Sequence, residues 1–163
     1  MKIPSTLIIG YGNPDRQDDG VAWYILSNLA DHFGIKKPDP PDFDFYPSGS
    51  NPDLLFTLQL TPEQSEQIAE YERICFVDAH TGNVAEDIHW QVLVPRFQTS
   101  PLTHHMTPET LLSLAMTLYQ RSPQAILVSV RGYEFKFSHT MSPQTSNLAL
   151  EASQRIIDWI KKP

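Results

Sequence analysis

The sequence predicts an open, twisted α/β sheet of about five strands with helices on both faces. Three observations predict it. Short apolar runs end at Gly10, at Asp78 and at Val130, each the length of a buried strand. Between them lie stretches in which apolar residues recur every three or four positions, as on the buried face of a helix. The two kinds alternate as strand, helix, strand, helix, strand, strand, helix, strand, helix, the order expected of a largely parallel sheet covered on both sides. A length of 163 residues suits one domain, residues 1–163.

Each element has its own signal. Residues 5–10 form the first strand, and Gly10 and Gly12 let the chain turn sharply out of it. The loop GNPDRQDDG leads to a helix from Gly20, with Ala22, Ile25 or Leu26, Leu29 and Phe33 on one face. Asp18 or Asp19 stands where its N-cap is wanted, and Gly34 closes it. After a stiff connection, Lys36 to Asp42, the segment 43–49 is the expected second strand, with Phe43 and Phe45 alternating against Asp44. Thr61 and Pro62 open a helix to about Tyr71, threonine as cap and proline at the first helical position. Residues 73–80 and 87–95 read as strands, the second stopped by Pro95. Thr107 and Pro108 repeat the helix start, ahead of a face of Leu111, Leu114, Ala115 and Leu118. Residues 125–130 form a β-branched strand, and the last helix presents Leu148, Ala152, Ile156 and Trp159 or Ile160. Fourteen prolines against seven glycines fit sharply separated elements and stiffened loops.

Composition excludes several functions. The formal charge of -7, from 12 basic and 19 acidic residues, disfavours nucleic acid and anionic membrane as partners. With 19% charged and 40% hydrophobic residues the chain can build a core and is not a disordered one. Cys75 is the sole cysteine, so no internal disulfide forms, and a reducing, cytoplasmic setting is expected. There is no 18-residue apolar run and no secretory leader pattern, which disfavours membrane spanning and secretion.

In open α/β sheets, sites gather at the carboxyl ends of the strands. Three such places carry metal-type donors: Asp15, Asp18 and Asp19 after the first strand, Asp78 and His80 at the end of the 73–80 strand, and His104 and His105 before the third helix. Carboxylates with an imidazole suit nickel, zinc, cobalt or manganese in a site with open positions. Each residue also has a plain structural reading. Asp18 and Asp19 can cap a helix, Asp78 can bond loop amides, and a His-His pair can be a loop feature. His32, His89 and His139 have no partner in the sequence, and Cys75 reads as a small core residue. Gly10-x-Gly12 lacks the continuation of a dinucleotide fingerprint, and three aspartates in the same loop would repel phosphate, so nucleotide binding is rejected.

These residues resemble a family. LIIGYGNPDRQDDGVA is similar to the opening motif of the nickel–iron hydrogenase maturation endopeptidases, with Gly10, Gly12, Asn13, Asp18 and Asp19 matching in spacing. FVDAH resembles the family's second motif and LTHHMTPETLLSLA its third. The segment from Gln59 to Ala79 is similar to the subgroup that processes bidirectional-type hydrogenases. The resemblance runs to about Pro143 and implies a phosphorylase/hydrolase-like sheet. It implies an enzyme that clips a C-terminal extension from the hydrogenase large-subunit precursor after nickel insertion. It carries over Asp19, Asp78 and His104 as metal ligands, with Asp19 and Asp78 as the catalytic carboxylates. Asn13, Asp18 and His105 are secondary candidates. The nickel belongs to the substrate, and another divalent ion can take its place in the isolated protein. Two departures stand out: Ala22 replaces a glycine, and PSGSN lacks the family's acidic residue. The second keeps open a non-catalytic, nickel-sensing chaperone of the large subunit. A peptidyl-tRNA hydrolase shares the G-x-G-N-P start, but the residues after Asn13 lack the histidine that chemistry needs.

Overall fold

The computed structural model describes residues 2–97 and 105–163. Their elements follow the expected alternation: β1 (Thr6–Tyr11), α1 (Val21–Phe33), β2 (Asp53–Thr57), α2 (Gln64–Ile68), β3 (Arg73–His80), β4 (Ile88–Leu93), α3 (Pro108–Tyr119), β5 (Gln124–Arg131) and α4 (Pro143–Ile160). The strands form one sheet in the order β2-β1-β3-β5-β4. The first four in that order run parallel, and β4 lies antiparallel on the edge beside β5. The fold class read from the sequence is the one observed.

Side chains alternate across a strand, so each central strand feeds two cores. Ile8, Cys75, Val77 and Val128 face α1 and α4, while Leu7, Ile9, Ile74 and Phe76 face α2 and α3. Strands buried on both sides need continuous apolar sequence, which is why β1, β3 and β5 were easy to find.

Helix ends follow local chemistry. Gly34 ends α1 in the left-handed conformation (φ 68°), where a side chain would be strained. Thr107 caps α3 by accepting from the Thr110 amide at 3.1 Å, with Pro108 in the first turn. Ser142 caps α4 in the same way. At the far end of α4, buried Arg73 donates to the carbonyls of Trp159, Ile160 and Lys162 and stacks on the Trp159 ring. A guanidinium there satisfies carbonyls that the helix leaves unpaired and offsets the negative end of its dipole.

The structure corrects four expectations. The second strand is Asp53–Thr57, not residues 43–49. Phe43 and Phe45 instead pack against Trp23, and Phe45 gives β2 one backbone bond, from the Phe56 amide to its carbonyl. Helix α2 is only Gln64–Ile68; the turns on both sides of it make i-to-i+3 bonds, such as Gln64 to Thr61 and Tyr71 to Ile68, the tighter 3-10 geometry. The buried face of α3 is Pro108, Leu111, Leu112 and Ala115, and Leu118 is 59% exposed. Neither Asp18 nor Asp19 caps α1: both lie in a 3-10 turn, Gln17–Gly20, and Gly20 precedes the helix.

Candidate active site

The connection leaving β1 passes through α1 on one face of the sheet, whereas the chain leaving β3 returns to β5 through α3 on the other. The carboxyl ends of β1 and β3 therefore diverge, and the crevice between them is where this kind of sheet binds ligands. Asp19 and Asp78 stand on its two sides, close enough that the charge of Asp19 acts on Asp78.

Backbone geometry folds Asp19 back over β1. Gly12 adopts φ 141°, and a Cβ built there would overlap the Asp19 carbonyl oxygen, so this close approach requires glycine. The Gly20 position is similarly closed, with Pro14 Cα 2.6 Å from where a Cβ would be. The Asn13 amide donates to Asp19 Oδ2 at 2.9 Å. Asp19 is half-buried, and among the described residues its Oδ1 accepts no hydrogen bond.

Asp18 has a different task. Its side chain is fully buried. It accepts from the amides of Tyr133, Glu134 and Ser142 and from the hydroxyls of Ser142 and Thr145, at 2.7–2.9 Å. Burial pushes the carboxyl up, but the Ser142 hydroxyl and the three amides outweigh it and hold Asp18 below the usual aspartate range. Gln17, at φ 49°, joins in: its side chain donates to the Thr140 carbonyl and accepts from the Lys136 amide. Together these two residues lock the loop after β1 to the segment after β5. Non-glycine residues in that conformation persist where surrounding bonds hold them.

Asp78 ends the apolar part of β3. Tyr11, the last residue of β1, donates its hydroxyl to Asp78 Oδ2 at 2.8 Å. Asp78 Oδ1 is buried and among the described residues has no hydrogen bond of good geometry, although the Ser129 hydroxyl, opposite on β5, is near enough to favour the anion as a weak donor. Burial raises the Asp78 pKa above the ordinary carboxylate value, and Asp19 adds to it. Burial and the neighbouring Asp78 likewise raise Tyr11 well above the usual tyrosine value, so its hydroxyl stays protonated. A recess of about 430 Å³ opens beside Asp78, lined in part by His89, Gln91, Leu127 and Ser129.

Of the other candidates, His80 stays beside Asp78, lining the same recess and favouring its anion by its charge, but its ring is engaged elsewhere. His80 accepts from the Gly82 amide at Nδ1, and its Nε2 faces the Asp87 carbonyl at 3.2 Å, so both ring nitrogens hold the turn after β3. Asp15 is exposed and bonds His139, which the sequence left without a partner. Asn13 contributes its amide to Asp19, and its side-chain oxygen accepts from the Asp15 amide at 3.0 Å. His105 is exposed ahead of α3, and His104 lies outside the described residues. Cys75 is fully buried and its thiol is pushed up by desolvation, which suits a core residue and not a nucleophile. Among the described residues no three His, Cys, Asp or Glu side chains come together as a metal site. Two carboxylates with open coordination, one carrying an orphaned buried oxygen, fit an ion held partly from elsewhere and do not form a closed structural site. Tyr11 is the residue that sequence reasoning missed: at the end of an apolar run it reads as core.

No family model matches the chain, and no curated protein matches its sequence. Solved structures do. The chain is similar to the [NiFe] hydrogenase maturation protease HycI of Thermococcus kodakarensis KOD1 at TM-score 0.67 and 15% identity, over 97% of this chain and 93% of that one. It is similar to HybD of the same organism at 0.67 and 15%, over 96% and 99%. The hydrogenase maturating endopeptidase HybD from E. coli gives 0.66 and 14%, over 96% and 92%. At these identities the likeness establishes a shared fold across nearly the whole chain.

Proposed function

We propose that this chain is a peptide-bond hydrolase that removes the C-terminal extension of a nickel–iron hydrogenase large-subunit precursor, acting after nickel has been inserted. The observation that carries the reading is the pair at the switch point: Asp19, held by the Asn13 amide, and Asp78, whose Oδ1 is buried and has no hydrogen-bond partner among the described residues. The three sequence motifs and the shared fold with maturation proteases support it. Asp19, Asp78 and His104 are the residues proposed to meet nickel carried by the precursor. The ion supplies positive charge beside the scissile carbonyl and a fixed point that positions it. Asp19 or Asp78 takes the proton of the attacking water. Burial favours Asp78, because raised proton affinity brings a carboxylate closer to the working pH of a general base. The subgroup similar to the bidirectional-type proteases is our assignment of the partner, and the cytoplasm our assignment of the compartment. Among the described residues no helix is long and apolar enough to cross a membrane.

The test is the mass of nickel-loaded precursor after incubation with the purified protein. Loss of a C-terminal peptide is the expected result, abolished by Asp19→Ala, Asp78→Ala and His104→Ala. Stable binding with no loss of mass would replace the enzyme by a nickel-sensing chaperone. Activity kept in His104→Ala and lost in His105→Ala would move the third ligand to His105.

A further inference from the structure

The two oxygens of Asp78 are not equivalent. Tyr11 closes β1, directly after Gly10, which pairs with Val77, so the parallel register sets Tyr11 beside Asp78. Alternation along β1 puts Tyr11 on the face of Leu7 and Ile9, where it packs against the core under α2 and α3. Its hydroxyl reaches Oδ2 at 2.8 Å, while the buried Oδ1 has no hydrogen-bond partner among the described residues. The half-buried Tyr11 ring packs on that core, which limits where its hydroxyl can go. It therefore fixes the rotation of the carboxylate it touches.

We infer that Tyr11 is a positioning residue that holds Asp78 by Oδ2 and so reserves the buried Oδ1, which has no hydrogen bond among the described residues, for the ligand that displaces its cover. The inference rests on the peptidase reading above. The held oxygen keeps Asp78 from turning or from offering both oxygens at once, so the carboxylate meets the ion in one orientation. Partners bonded to a ligating side chain typically govern metal affinity by about 10- to 100-fold. Nothing in β1 other than its hydroxyl asks for tyrosine here, since phenylalanine would fill the same space.

Tyr11→Phe keeps the ring and removes the bond. Co2+ serves as the probe, titrated into the purified protein and followed by calorimetry and by its visible absorption. The expected outcome is Co2+ affinity weakened by about 10-fold or more, with a changed absorption spectrum. On nickel-loaded precursor the same variant loses kcat with little change in KM. Thermal melting of the variant corrects each value to the folded fraction. A purely structural role for Tyr11 would lower the melting temperature and leave the affinity, the spectrum and the kcat of folded protein as in the wild type, and that result overturns the inference. Wild-type protein that neither binds Co2+ nor shortens the precursor is the separate failure of the peptidase reading, and it takes this inference with it.

Discussion

Among the described residues Asp18 accepts five close hydrogen bonds and Asp78 one, from Tyr11. Those surroundings set opposite signs for what ionisation does to the fold. The Asp78 pKa is raised by burial, so its stabilising form is the protonated one. That contribution is present at low pH and is lost as pH rises through the folded value, leaving the ionised group as a cost near neutrality. Asp78→Asn removes the charge and keeps an acceptor for Tyr11. Its melting temperature at neutral pH should rise, by about 2–4 °C for each kcal/mol relieved, while precursor cleavage is lost. Scanning calorimetry and the mass assay check the two halves. A melting temperature that falls would mean that Asp78 is not an electrostatic cost. At this scale the sequence was informative where a charged residue interrupts an apolar run, which is how Asp78 stood out. It was silent on Tyr11, because the bond depends on register between two strands separated by more than sixty residues.

Among the elements, β1, β3 and β5 were legible because burial on both faces forces unbroken apolar runs. The helix starts at Thr107 and Ser142 follow the same cap-then-proline chemistry. β2 was misread because Phe43, Asp44 and Phe45 imitate a half-buried strand, whereas the true one, Asp53–Thr57, is short and preceded by proline. Asp18 was read as a cap for the helix that follows it, since local sequence cannot reveal partners at 133–145. Its real work is between elements, joining the loop after β1 to the start of α4. The Asp18 pKa is lowered, so its contribution is complete above the ordinary aspartate value, about 3.9, and fades as pH falls through the folded value. Asp18→Asn should lose about 3 kcal/mol at neutral pH, since several donors lose an anionic partner. The acid limb of its stability curve should be flatter than that of the wild type. Urea unfolding at a series of pH values measures both, and parallel acid limbs would contradict the linkage.

Across the whole molecule, the two ends of the sheet have different duties. At the amino ends of the strands, Arg73 binds β3 to the last turn of α4 through three carbonyls. At the carboxyl ends lie Asp19, Asp78 and the recess beside Asp78. Arg73→Met should therefore destabilise the protein by about 2–3 kcal/mol while the folded fraction cuts precursor at the wild-type rate. Equilibrium unfolding and single-turnover cleavage separate the two effects. Slower cleavage by fully folded Arg73→Met would show that the ends are coupled.

The bonds of Asp18 also have a consequence in time. The loop that carries Asp19 emerges from the ribosome well before its partners Tyr133, Glu134, Ser142 and Thr145, which lie more than a hundred residues further along the chain. Chains emerge amino end first, at about 5–20 residues per second. Until Thr145 has emerged, a nascent copy thus holds both carboxylates without the full clamp that sets the Asp19 loop. The Asp19 loop is therefore set only after the start of α4 has been made and has docked.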